Sequence, residues 1–151
     1  MTGADATLPI LIADDDADDC LLAREALTEA GLANPVYTVE DGERLVDYLH
    51  RRGAYAAPAA APRPGLILLD LNMPRMGGLE ALCALRAAPA LRAIPVVVLS
   101  TSGAGADRRA VEDLGARAYV TKPDSFAGLV ALMRTLGHRW LRADAPAPEE
   151  N

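Results

Sequence analysis

Residues 66–74 read Leu66-Ile67-Leu68-Leu69-Asp70-Leu71-Asn72-Met73-Pro74, "LILLDLNMP". Four large aliphatics between Pro64-Gly65 and Pro74 have the length and character of a strand buried on both faces, as strands of a parallel sheet are. Asp70 falls where that strand leaves the sheet. In open α/β sheets ligands bind at the carboxyl ends of strands, so a carboxylate there is placed for chemistry. Asn72 and Pro74 favour a turn, and Asp70 alone reads equally well as a turn former.

The same pattern recurs on either side. Leu8 to Ala13 is a short apolar run ended by Asp14-Asp15-Asp16. Ala17 to Ala30 then carries Leu21, Leu22, Ala26 and Leu27 at helical spacing, and Gly31 stops it. Val36 to Val39 reads as a second strand, followed by a helix capped by Asp41, with Leu45, Val46 and Leu49 inward and Gly53 at its end. Residues 53–65, "GAYAAPAAAPRPG", are too rich in Ala and Pro to be periodic and read as an exposed loop. Beyond Gly77-Gly78 a helix with Leu79, Leu82 and Leu85 inward breaks at Pro89. "IPVVVLS" then forms a buried strand ending at Ser100. A helix around Asp107 to Leu114 precedes "AYVTKP", a fifth strand with Lys122 at its end. The last helix, about Ser125 to Leu141, puts Phe126, Leu129, Val130, Met133, Leu136 and Trp140 on one stripe.

Five strands alternating with five helices predict an α/β fold, a doubly wound parallel sheet with helices on both faces. Right-handed crossovers then bring every strand's carboxyl end to one rim. That rim receives Asp14 and Asp15, Asp70, Ser100 and Lys122. Close pairs among three carboxylates repel by about 4 kcal/mol at an effective dielectric near 20, so the cluster calls for a cation. Oxygen-only ligands select a hard ion, and magnesium fits because it accepts one or two carboxylates plus water and phosphate oxygens. Asp70 could then attack phosphorus, with Lys122 and the Ser100 hydroxyl holding the equatorial oxygens.

Bulk composition narrows the function further. A chain of 151 residues, 51% hydrophobic and 24% charged, suits one compact domain, expected over residues 1–142 with a disordered tail at 143–151. The net charge of −6 and a single lysine argue against a nucleic-acid backbone as partner. The N-terminus has no basic region and too short an apolar segment for a signal peptide or membrane span, so a cytoplasmic protein is expected. Cys20 and Cys83 lack metal-ligand spacing and read as buried free thiols; His50 and His138 read as helix-surface residues. Trp140 and Leu141 extend past the length needed to cover the sheet, and such an apolar end predicts a homodimer or a kinase-binding face.

"ADDD", "LLDLNMP", "VVVLST" and "AYVTKP", in this order and each at a strand end, resemble the receiver domain of two-component response regulators, a flavodoxin-like fold. The resemblance covers nearly the whole chain. It implies Asp70 as phosphoacceptor and Asp14 and Asp15 as the acidic pair, with Asn72 lending a backbone carbonyl to Mg2+. It implies further that Ser100 and Lys122 contact the phosphoryl group, that Tyr119 is the switch aromatic, and that a sensor histidine kinase is the donor. Two departures stand out: Gly77 replaces an acid common before the second glycine, and residues 53–65 lengthen a connection. The second, with the long last helix and fewer than 30 residues after Lys122 for an output module, resembles the small regulators that partner bacterial and cyanobacterial phytochromes. The competing readings are a pseudo-receiver adaptor and a magnesium-dependent aspartyl-phosphate hydrolase. The hydrolase is disfavoured because Asn72 stands where a general acid is needed.

Overall fold

A computed structural model describes residues 8–57, 61–71, 73–100 and 105–141 of the chain. The alternation is as expected: β1 (Ile10–Ala13), α1 (Ala17–Glu29), β2 (Val36–Val39), α2 (Gly42–His50), β3 (Leu66–Asp70), α3 (Gly78–Ala87), β4 (Val96–Ser100), α4 (Gly105–Asp113), β5 (Ala118–Thr121) and α5 (Phe126–Trp140). The strands form one sheet in the order β2-β1-β3-β4-β5, every pairing parallel. The chain therefore winds outward in both directions from β1 and β3, and the crevice between their carboxyl ends is the topological switch point.

Side chains alternate across the sheet with period two, which divides the core into two layers. Leu11, Ala13, Ile67, Leu69, Val96 and Val98 face α2, α3 and α4. Ile10, Ile12, Leu66, Leu68, Val97 and Leu99 face α1 and α5. Among the described residues, three helices start at a side chain that caps them. Asp16 caps α1 by accepting from the backbone N–H groups of Asp18 and Asp19, Asp41 caps α2, and Ser125 caps α5.

Several expectations need correction. The inward face of α1 is built from Ala23, Ala26 and Leu27, while Leu21 is 54% and Leu22 43% exposed. Small side chains let α1 lie close to the sheet and to α5. Phe126 likewise stands exposed at the start of α5. The opposite end of α5 is the larger revision, because Leu141 is fully buried and Trp140 packs against the same layer. The guanidinium groups of Arg117 and Arg139 lie 5.6 and 5.1 Å from the Trp140 ring. The apolar end expected to protrude is folded back on the core. Both cysteines are free, but Cys83 is exposed and Cys20 only half-buried.

The 53–65 segment is exposed over most of 53–57, as expected of a loop, but it is tied to the core at Ala61 and Pro64, both buried. It opens with a short 3-10 turn at Gly53–Tyr55. The Tyr48 hydroxyl donates to the Pro62 carbonyl at 2.8 Å, and Arg51 Nε donates to the Ala61 carbonyl at 3.1 Å. Buried Tyr48 needs an acceptor, and this connection supplies one. The expected domain end at 142, the tail 143–151 and Asn72 lie outside the described residues.

Asp41 does more than cap α2. Its side chain is covered, its Oδ1 accepts from the Arg44 N–H and its Oδ2 from Arg75 Nε, both at 2.8 Å. Arg75 belongs to the connection after β3 and sits in the left-handed region at φ 64°. The Gly42 N–H donates to the Met76 carbonyl beside it at 2.9 Å. The first turn of α2 thus fastens the connection that leaves Asp70.

Burial works to raise the Asp41 pKa, but the Arg44 N–H and the Arg75 guanidinium overcome it and hold the carboxyl below its ordinary value. A folded value below the unfolded one makes this stabilisation complete at neutral pH and lost as acid titrates the folded carboxyl. Asp41→Asn keeps a good cap and loses only the charge. It is expected to cost about 1 kcal/mol at pH 7, since the half-exposed Arg75 is screened by solvent. Thermal melts across pH 7 to 2 should show that cost fading below about pH 4; a cost constant with pH would remove the charge from the account.

Candidate functional site

Register assembles the rim. Ala13 pairs with Leu69, so Asp14 and Asp70 follow side by side at the ends of β1 and β3. Asp70 pairs with Leu99, which sets Ser100 one residue further along β4. Ser100 pairs with Thr121, and its carbonyl accepts from the Lys122 N–H at 2.8 Å. Four strands thereby deliver Asp14, Asp70, Ser100 and Lys122 to one crevice.

Carboxylate oxygens of Asp14, Asp15 and Asp70 lie within 4.8 Å of one another. Asp14 is buried, Asp70 partly buried and Asp15 exposed, so the cluster opens to solvent on one side. Asp14 is held firmly: its Oδ1 accepts from the Asp16 N–H at 2.9 Å and its Oδ2 from Lys122 Nζ at 3.2 Å. The donors are all hard oxygens at a spacing one ion can bridge, and they fit a hard divalent cation. Beneath them a cavity of about 110 Å³ runs between α1 and α5, walled by Leu68, Leu99 and Met133. Its apolar walls lower the local dielectric and strengthen every charge interaction above.

Lys122 is the cation of the crevice, with its side chain 20% exposed. Desolvation pulls its pKa down, but Asp14, a hydrogen bond to Asp19 and the charge of Asp70 outweigh it and raise the value above that of free lysine. The ammonium is therefore charged at any physiological pH. Cys20 donates to the Asp14 carbonyl at 3.6 Å, and burial together with the Asp14 charge pushes its thiol up to about 11. The thiol is therefore held in its protonated form at neutral pH. Ser100 is buried at the end of β4. Tyr119 is buried against the α4 layer, and the Arg108 guanidinium lies 4.9 Å from its ring centroid.

Residues 10–134 match the response regulator receiver domain family. The chain belongs to this family. Among similar receivers, Response regulator Rcp1 of Synechocystis sp. is 34% identical over 132 residues, 87% of this chain and 88% of Rcp1. The crystal structure of Rcp1 in its Mn(2+)-bound form is similar at a TM-score of 0.80 and 33% identity, covering 93% of this chain and 99% of the other. The phosphorylated cyanobacterial phytochrome response regulator RcpA gives 0.84 at 38% identity, over 93% and 98% of the two chains. The bacteriophytochrome response regulator RtBRR gives 0.75 at 40% identity, over 94% and 85%.

Sequence reasoning brought Asp14, Asp15, Asp70, Ser100 and Lys122 to this receiver's rim, and all stand there. It missed Asp19, whose Oδ2 accepts from Lys122 Nζ at 3.1 Å. It took Asp41 for a cap alone and gave Arg75 no part. A first-turn acid on the helix leaving an acidic strand end was the available signal for Asp19. Nothing local pairs Asp41 with Arg75.

Proposed function

We propose that this receiver is a phosphorylation switch in which Asp70 accepts a phosphoryl group from a sensor histidine kinase, with Mg2+ held by Asp14, Asp15 and Asp70 and, by resemblance, the Asn72 carbonyl. The observation that carries the proposal is the gathering of three carboxylates within 4.8 Å beside the Lys122 ammonium. A carboxylate oxygen of Asp70 attacks phosphorus, and the new O–P bond forms as the bond to the donor imidazole nitrogen breaks. The imidazole leaves with the electron pair. A divalent cation bound here supplies charge neutralisation and polarises the phosphoryl oxygens. Lys122 and the Ser100 hydroxyl hold the equatorial oxygens. The new group brings roughly two negative charges and three acceptor oxygens, which draw Ser100 inward and leave space into which Tyr119 turns. That movement alters the face made by α4, β5 and α5, where partners read it.

Likeness to RcpA and RtBRR supports a bacteriophytochrome as the kinase. The receiver would act in the cytoplasm; among the described residues no helix is long and apolar enough to cross a membrane. The apolar end expected to drive self-association is packed on the core, Leu141 fully and Trp140 in part. A hydrolase that turns over needs a proton donor at the leaving group, and the amide of Asn72, two residues past Asp70, cannot serve.

Incubation of the wild type with magnesium and a small acyl phosphate should add one base-labile phosphoryl group per chain by intact mass. Magnesium alone should raise Tm by roughly 3–6 °C at about ten times its Kd, since it binds the native pocket and relieves carboxylate repulsion. Asp15→Ala should remove most of that rise. No label and no rise would establish the adaptor reading instead.

A further inference from the structure

Two carboxylates share the one ammonium of the site, and only one of them belongs to the acidic cluster. Lys122 Nζ donates to Asp14 Oδ2 at 3.2 Å and to Asp19 Oδ2 at 3.1 Å. Asp19 lies in the first turn of α1, its backbone N–H bonded to Asp16 Oδ1 at 3.2 Å. That bond fixes where the residue stands. Its side chain is 42% exposed, against 8% for Asp14. Two of the three donors on the ammonium are thus spent before any phosphoryl oxygen arrives.

We propose that Asp19 is the resting-state holder of Lys122, a positioning residue that competes with the phosphoryl group for the ammonium. The inference rests on the phosphoacceptor reading of Asp70. Asp14 cannot be the competitor that yields, because it is buried and its other oxygen is tied to the Asp16 N–H. Asp19 is half in water, where a carboxylate released from a lysine is resolvated at little cost. A phosphoryl dianion on Asp70 therefore wins the ammonium from Asp19 first. The strength of that hold sets how readily Lys122 reaches the phosphoryl oxygens.

Lys122 is the only lysine in the chain, so lysine enriched in ¹⁵N reports this one ammonium. Asp19→Asn and Asp19→Ala are to be compared with Asp18→Asn, which removes the same charge from the same turn without a contact to Lys122. In the absence of donor, both Asp19 variants should shift the Lys122 ammonium resonance, and Asp18→Asn should leave it in place. With magnesium and a small acyl phosphate, both Asp19 variants should label roughly two- to fivefold faster than Asp18→Asn, the range expected from releasing a half-exposed ion pair. Labelling at the Asp18→Asn rate or slower, or an unmoved resonance, overturns the proposal while leaving the phosphoacceptor intact. A wild type that takes no label overturns the phosphoacceptor reading and this proposal with it.

Discussion

Asp70→Asn is expected to take up no phosphoryl group from a small acyl phosphate with magnesium, where the wild type takes up one. The substitution preserves shape and removes the nucleophile, since a neutral amide oxygen does not displace a leaving group from phosphorus. Stability should move the other way. Asp70 shares a 4.8 Å neighbourhood with Asp14 and Asp15. Removing one of three like charges relieves repulsion, so the variant should melt higher by on the order of 1 kcal/mol in the absence of divalent cation. Activity lost with stability gained distinguishes a chemical role from a structural one. Intact mass and thermal melts on the same two samples check both parts. A label at the wild-type level on the variant would move the acceptor to another acid.

Gly78→Ala is expected to lower stability by about 2 kcal/mol, or roughly 4–8 °C in Tm. The reason is space. A Cβ at Gly78 would stand 2.7 Å from the Asp70 carbonyl oxygen and 2.7 Å from the Leu71 Cα, both backbone atoms without freedom to rotate away. The Gly78 N–H also donates to the Leu71 carbonyl at 3.0 Å, which presses the start of α3 onto the end of β3. Any relaxation therefore displaces Asp70, and labelling should slow along with the loss of stability. Gly77→Ala is the matched comparison. Its nearest neighbour would be the Leu71 carbonyl oxygen at 3.6 Å, an ordinary contact, and its cost should stay within about 0.5 kcal/mol. Equal costs at the two positions would refute close approach as the reason for the second glycine.

How far the sequence carries depends on how local each cause is. The strand ends holding Asp14, Asp70, Ser100 and Lys122 were legible because unbroken apolar runs of strand length are a local signal, and a parallel sheet then dictates one shared rim. The Lys122–Asp19 bond joins residues 103 apart and the Asp41–Arg75 pair residues 34 apart. No periodicity encodes either one. The inner face of α1 was misjudged because leucine outranks alanine on any hydrophobic scale, whereas close helix packing selects the smaller residue. At the end of α5, helix length alone suggested an overhang, but Leu141 turns inward in a non-helical conformation at φ −117° and ψ 5°. A backbone turn of that kind leaves no trace in composition.

The pairing of α1 with α5 on one face of the sheet bears on how the molecule is made. Strands β1, β2 and β3 can associate once Asp70 has left the ribosome. On the face of Ile10, Ile12, Leu66 and Leu68, α1 is already at hand, but the cover from α5 is complete only some 70 residues later, between Asp70 and Trp140. At 5–20 residues per second that interval lasts roughly 4 to 14 s. Throughout it the nascent chain carries an apolar sheet face covered by α1 alone, its α5 half open to chaperones and proteases. Lys122 emerges near the end of the same interval, so the acids of the rim spend it without their counter-charge. Arrival of the final helix closes the core and completes the switch in one late event.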